Sequence, residues 1–214
     1  MKNILFDFGG VFVDLDMDAV NMGIQSYLGT TFQALYQRNK SVFDGFETGH
    51  LSETEFVDAV TEMGLPKSKI KDIWNKMVLG IPKNRIEFLE SLQGKYNLYL
   101  YSNTNVFHES ELNRLMWAHH NMSLDAFRKL FDGSWFSHDI GWRKPGPEGF
   151  EYIIKATGIR PEETLFIDDS PTYLEGAKIM GMHTILHDVS NDIAHVFEEY
   201  VAKTWPLSPK ITPS

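Results

Sequence analysis

Four short, mostly apolar segments, at residues 3–6, 97–101, 164–167 and 183–186, are separated by long stretches with helical periodicity. Runs of that length without polar alternation are typical of strands buried on both faces, as in a parallel sheet. A fifth, weaker candidate lies at 134–137. Helical patterns at 86–92, at 148–156 before Gly158 and at 173–180 before Gly181 fall between these runs. Alternation of this kind predicts an α/β fold, a doubly wound and mainly parallel sheet with helices on both faces.

The stretch 17–82 departs from that rhythm. It shows no strand pattern and several helical signals, so it reads as an inserted α-helical cap domain. Ser52-Glu53-Thr54-Glu55 is a capping box, and Phe56, Val57, Val60 and Met63 recur at helical spacing until Gly64. Pro66 and Pro82 punctuate the remainder. The expected organisation is a core formed by residues 1–16 and 83–203, a helical cap at 17–82, and a proline-rich C-terminal tail at 204–214.

A chain of 214 residues with 43% hydrophobic content can bury a sizeable core without staples. There is no cysteine, which excludes disulfides, thiolate metal sites and a cysteine nucleophile. No apolar run approaches membrane-spanning length, and the run after Met1 meets Asp7 too early for a signal peptide, so a cytoplasmic location is expected. The net charge of −9, with no basic cluster, argues against nucleic-acid partners. A small phosphorylated metabolite is compatible with that charge, because backbone dipoles, a lysine and a metal can attract an anion locally.

The chemistry sits at the strand ends. Asp7 closes the first strand and opens into Phe8-Gly9-Gly10-Val11; Ser102-Asn103-Thr104-Asn105 follows the second; Asp168-Asp169-Ser170 follows a third. In a parallel sheet all C-terminal ends share one edge, so groups far apart in sequence converge there. Trp142-Arg143-Lys144-Pro145 lies in a loop where Pro145 and Pro147 fix the backbone and aim Lys144 at that edge.

These motifs, in this order, resemble those of the haloacid dehalogenase-like hydrolase superfamily, in the subgroup with a helical cap after the first strand. The resemblance spans about residues 1–14 and 83–203, while the cap matches in position and helical character alone. It implies a Mg²⁺-dependent phosphatase that forms an aspartyl-phosphate, with a small phosphate monoester, expected to be a sugar phosphate, as substrate. Asp7 is then the nucleophile, and Asp7, Asp169 and the Gly9 carbonyl hold the metal, with Asp168 acting through a bound water. Ser102 and the Asn103 N–H hold phosphoryl oxygens beside Gly9 and Gly10, and Lys144 neutralises charge. Each part has a physical rationale, since an anionic nucleophile can approach a phosphate only when charge is neutralised.

One position departs from the pattern. Most phosphatases of the superfamily place a second aspartate, the general acid and base, two residues after the nucleophile; here that position is Gly9. The loss corresponds to roughly 10²–10⁴-fold in rate, so leaving groups of low pKa are favoured. The subgroup includes sugar-1-phosphate phosphatases with glycine at this place. Asp14 or Asp16 could substitute, but capping the first cap helix is the simpler role for either. A 2-haloacid dehalogenase, which needs no second acid, and a weakly catalytic protein that binds a phosphorylated metabolite are the alternatives. Asp168-Asp169 weighs against the dehalogenase, which has to bind a carboxylate.

Several features have plainer readings. His119-His120 point apart on a helix and read as solvent-exposed. Residues 46–50, Phe46-Glu47-Thr48-Gly49-His50, read as a connection between cap helices, though in the resembled family such a loop faces the active site. Trp142 and Arg143 fit substrate contact or coverage of the core edge equally well.

Overall fold

In the computed structural model, which describes residues 1–204, five parallel strands form the central sheet in the order β5-β4-β1-β6-β7. In chain order the elements begin with β1 (Asn3–Phe6), β2 (Asp14–Leu15), α1 (Met17–Leu28), α2 (Phe32–Arg38), α3 (Lys40–Glu47), α4 (Glu53–Glu62) and α5 (Lys67–Asn75). They continue with β3 (Val78–Gly80), α6 (Lys83–Leu92), β4 (Asn97–Ser102), α7 (Val106–His120), α8 (Leu124–Arg128), β5 (Gly133–Phe136) and α9 (Ser137–Ile140). The last are α10 (Pro147–Thr157), β6 (Thr164–Asp168), α11 (Pro171–Ile179), β7 (His183–Leu186) and α12 (Ile193–Thr204). All five expected strands are present, within a residue or two of the sequence reading. The proline-rich segment from Trp205 onward lies outside the described residues.

The apolar runs are unbroken because both faces of the sheet are covered. Ile4 and Phe6 of β1, Leu98 and Leu100 of β4, and Leu165 and Ile167 of β6 face one core, with residues of α6, α7 and α12. The alternate residues Leu5, Tyr99, Tyr101 and Phe166 face the other, against Phe150 and Ile153 of α10 and Leu174 and Ala177 of α11. Successive side chains of a strand point to opposite faces, so a strand buried twice has no polar position to spare.

Helices α1 to α5 enclose a third apolar cluster of their own, which Phe107 of α7 joins. The capping box forms as expected, with the Glu55 carboxylate accepting from the Ser52 N–H at 2.8 Å. Asp16 caps α1, accepting from the Ala19 N–H at 2.9 Å, whereas Asp14 pairs with Arg85 at 2.7 Å. The stretch 17–82 is not free of strand, contrary to the sequence reading: β3 pairs antiparallel with β2 where the chain leaves and re-enters the core. Strands of two and three residues are too short to carry a periodic signal.

β1 continues through β4 to β5 on one side of the sheet, and the chain then crosses back to β6 and β7 on the other. The reversal places the ends of β1 and β6 side by side, the position where open α/β sheets leave a crevice.

Candidate active site

Parallel register sets the geometry of this crevice. Phe6 is aligned with Leu100 of β4 and Ile167 of β6, so Asp7 and Asp168 emerge at one level and Ser102 one residue further along. The backbone then turns sharply, with the Phe12 and Val13 N–H groups both donating to the Phe8 carbonyl at 2.8 and 2.9 Å. Gly10 has φ +71°, and a Cβ there would stand 2.3 Å from Asp169 Oδ2. Glycine is needed here both for the backbone conformation and to let Asp169 approach the turn. Gly9 is less constrained, since a Cβ would meet only Leu15 Cδ1 at 3.1 Å.

Lys144 is fully buried, and its Nζ donates to Asp7 Oδ1 at 2.7 Å and to Asp168 Oδ2 at 2.6 Å. The ammonium also lies over the rings of Tyr173, Phe166 and Tyr101 at 5.0–5.6 Å. Its loop is clamped by Asn103, whose side chain donates to the Lys144 carbonyl at 3.0 Å and accepts from the Lys144 N–H at 2.9 Å. Lys144 does reach the edge as expected, and the side chain of Asn103 contributes to holding it there, which the sequence did not indicate. Ser102 is buried at the end of β4 beside Asn103.

Asp7, Asp168 and Asp169 each offer an oxygen to one cluster, these atoms all lying within 4.8 Å of one another. Asp168 uses both of its oxygens, one for Lys144 and one accepting from the Ser170 N–H at 2.8 Å. Three carboxylates thus face one ammonium. Burial, with Asp168 beside it, pushes Asp7 up to about 8 despite Lys144. Burial followed by Asp168 raises Asp169 as well. Burial opposes the charge on Lys144, but Asp168 and Asp7 outweigh it and keep the ammonium protonated. With all three carboxylates ionised, as attack by Asp7 requires, the cluster carries an excess of negative charge that a further cation would offset. The all-oxygen donors suit a hard divalent cation such as Mg²⁺, and the glycine cradle at Gly10 leaves Asp169 room to serve it.

Two residues gain definition from tertiary structure. Arg143 reaches across to the cap, pairing with Glu47 Oε2 at 2.9 Å and Asp44 Oδ1 at 2.8 Å, and donating to the Tyr36 hydroxyl at 3.4 Å. Desolvation raises the pKa of Glu47 against the pull of Arg143. Phe46 and Glu47 end helix α3 rather than lying in a loop, and Gly49 is so close to the core that a Cβ would stand 2.4 Å from the His138 carbonyl. Arg143 and the segment holding Glu47 each stood out in the sequence, but their pairing did not. Trp142 is exposed, and its carbonyl accepts from the Tyr101 hydroxyl at 3.3 Å. His119 is exposed as expected, whereas His120 is partly buried with Nε2 2.7 Å from the Ile81 carbonyl oxygen.

Among the described residues no helix is long and apolar enough to cross a membrane. The model of the haloacid dehalogenase-like hydrolases matches residues 1–181. A D-ribitol-5-phosphate phosphatase of Bacteroides thetaiotaomicron is 31% identical over 86% of the chain and 90% of its own length. A sesquiterpene phosphatase of Aspergillus oryzae is 26% identical over 85% of the chain and 87% of its own. The crystal structure of a haloacid dehalogenase family enzyme from B. thetaiotaomicron, in complex with magnesium and inorganic phosphate, superposes with a TM-score of 0.78. It shares 29% identity and covers 92% of this chain and 99% of that one.

Proposed function

Because this chain belongs to the haloacid dehalogenase-like hydrolases, we propose that it is a Mg²⁺-dependent phosphatase of small phosphate monoesters that works through an aspartyl-phosphate. The observation that carries this reading is the cluster of Asp7, Asp168 and Asp169 around one buried lysine, too negative to accept an anion unaided. Phosphatases among the relatives and a magnesium and phosphate complex of a similar fold support it. The same proposal covers the division into core (1–16 and 83–203) and cap (17–82), and a cytoplasmic setting.

Asp7, Asp169 and the Gly9 carbonyl would hold Mg²⁺, with Asp168 behind them. When bound, the metal neutralises charge on the phosphoryl group. Lys144 keeps Asp7 oriented by a 2.7 Å contact, leaving its other oxygen for attack. Ser102 and the Asn103 N–H hold the phosphoryl oxygens as Asp7 forms its bond to phosphorus and the ester oxygen departs with the electron pair. Water then hydrolyses the aspartyl-phosphate. The Arg143 clasp keeps the cap closed and solvent out during attack.

Phosphate release from p-nitrophenyl phosphate, acetyl phosphate and glucose 1-phosphate, assayed with Mg²⁺ or EDTA, tests this. Release should need Mg²⁺ and vanish in Asp7→Asn. Chloride release from 2-chloropropionate that is insensitive to EDTA would instead establish a dehalogenase.

A further inference from the structure

A cavity of about 170 Å³ lies between the cap and the crevice. Phe32, Phe43, Phe46, Phe56, Trp74 and Met77 supply most of its wall. A smaller space of about 70 Å³, lined by Gly9 and Ser102 among others, shares Asn103, His108 and Met77 with it, so the cavity adjoins the residues proposed to hold the phosphoryl group.

The polar residues on this wall are already engaged. Arg143 holds Glu47 through Oε2, and the Asn103 side chain bonds both backbone groups of Lys144. Asn105 caps α7 through the N–H groups of Phe107 and His108, and its Nδ2 lies 3.2 Å from His108 Nδ1. His108 Nε2 is 3.2 Å from the Trp74 carbonyl oxygen. Most of the wall offers no hydrogen-bond partner, so a polyol placed here would leave most of its hydroxyls unpaired, each at a cost of about tenfold in affinity. A flat apolar group would lose nothing. About 150 Å³ of apolar cavity is enough to hold one benzene ring, so 170 Å³ suits a single-ring leaving group.

We propose that the cap pocket of this chain takes the aromatic leaving group of an aryl phosphate monoester. The inference rests on the phosphatase reading and names its substrate class. Gly9 points the same way by an independent route. As the Asp7 oxygen bonds to phosphorus, the P–O(aryl) bond breaks and its electron pair leaves on the phenolate, which takes its proton from water. Phenols, like the tyrosine side chain, have a pKa of about 10, so the departure does not require the missing acid.

The test is a Mg²⁺ assay of phenyl phosphate, benzyl phosphate, glucose 1-phosphate and D-ribitol 5-phosphate. Both ring-bearing esters should show KM values at least about tenfold below those of the two sugar esters. Between them, phenyl phosphate should turn over faster, because benzyl alkoxide needs protonation. A kcat/KM for either sugar ester equal to or above that of phenyl phosphate overturns the inference while leaving a phosphatase in place. If no ester is hydrolysed the phosphatase reading fails, and calorimetry on Asp7→Asn protein still decides the pocket. Tighter binding of phenyl phosphate than of glucose 1-phosphate upholds it, and equal or weaker binding overturns it. Met17 lies at the partly exposed rim, and Met17→Trp should fill the cavity and erase the preference; an unchanged preference in folded Met17→Trp protein counts against the pocket.

Discussion

Replacing Lys144 by methionine removes the single cation from the carboxylate cluster at little change in volume, so the effect is electrostatic rather than a cavity. The ammonium is completely buried and lies 2.7 and 2.6 Å from two carboxylates that are themselves almost inaccessible. At an effective dielectric constant of about 20, each contact corresponds to ~6 kcal/mol of Coulomb attraction. Desolvation of the three ions offsets most of that, and measured losses on removing one partner of a buried pair are about 3–5 kcal/mol. A domain with the usual 5–15 kcal/mol of stability should therefore stay folded but marginal. In urea titrations without metal we expect Lys144→Met to lose about 3–5 kcal/mol, and the double variant Lys144→Met/Asp7→Asn to recover part of it. Mg²⁺ should stabilise Lys144→Met more than the parent protein, because the variant site is one positive charge poorer and ligand binding to the native state adds directly to stability. A loss below about 1 kcal/mol, of the size seen for exposed pairs, would refute the reasoning, as would the same Mg²⁺ increment in both proteins.

Gly10→Ala forces a left-handed backbone and places a methyl against the Asp169 carboxylate. It should cost about 1–2 kcal/mol and weaken Mg²⁺ binding in calorimetry, whereas Gly29→Ala, at φ +62° with no atom near the added Cβ, should cost stability alone. Arg143→Met strands Glu47 and Asp44, so amide exchange should speed up in α2 and α3 but not in β1; equal acceleration in both would show that the clasp is not local to the cap. His108 is driven by burial to about 4 from 6.5, so the unfolded chain binds this proton first. The stability it contributes is complete above pH 6.5 and is lost as pH falls through 4, by about 3 kcal/mol at 1.36 kcal/mol per unit. His108→Gln should flatten that acid limb in denaturation curves. Gly9→Asp has only the partly exposed Leu15 side chain to displace. It should raise turnover of benzyl phosphate by about 10²-fold or more and that of phenyl phosphate by less; equal gains would reject the leaving-group argument.

The strands and motif residues were legible in the sequence because each depends on local signals. Double burial writes itself as an unbroken apolar run, as in Ile4-Leu5-Phe6, and the strand-end acids follow such runs directly. Strands β2 and β3 escaped notice because two or three residues carry no period, and their pairing joins Asp14 to Gly80 across the whole cap. His120 gave no sign of its bond to Ile81, a contact between residues 39 apart.

The sequence by itself determined which groups are available to react: one strand-end aspartate, the proposed nucleophile, with glycine two residues on, a pair of further carboxylates, a hydroxyl and a lysine. Only the tertiary structure decided how they are used. Asp168 is committed to Lys144 and the Ser170 backbone, the side chain of Asn103 clamps the lysine loop, and Arg143 ties core to cap. The physical reason is that residue type fixes what a group can donate, accept or ionise, whereas its partners and dielectric surroundings come from chain segments distant in sequence. The wall of the cap cavity is the clearest case: its aromatic residues are spread from Phe32 to Trp74, and folding makes them one surface.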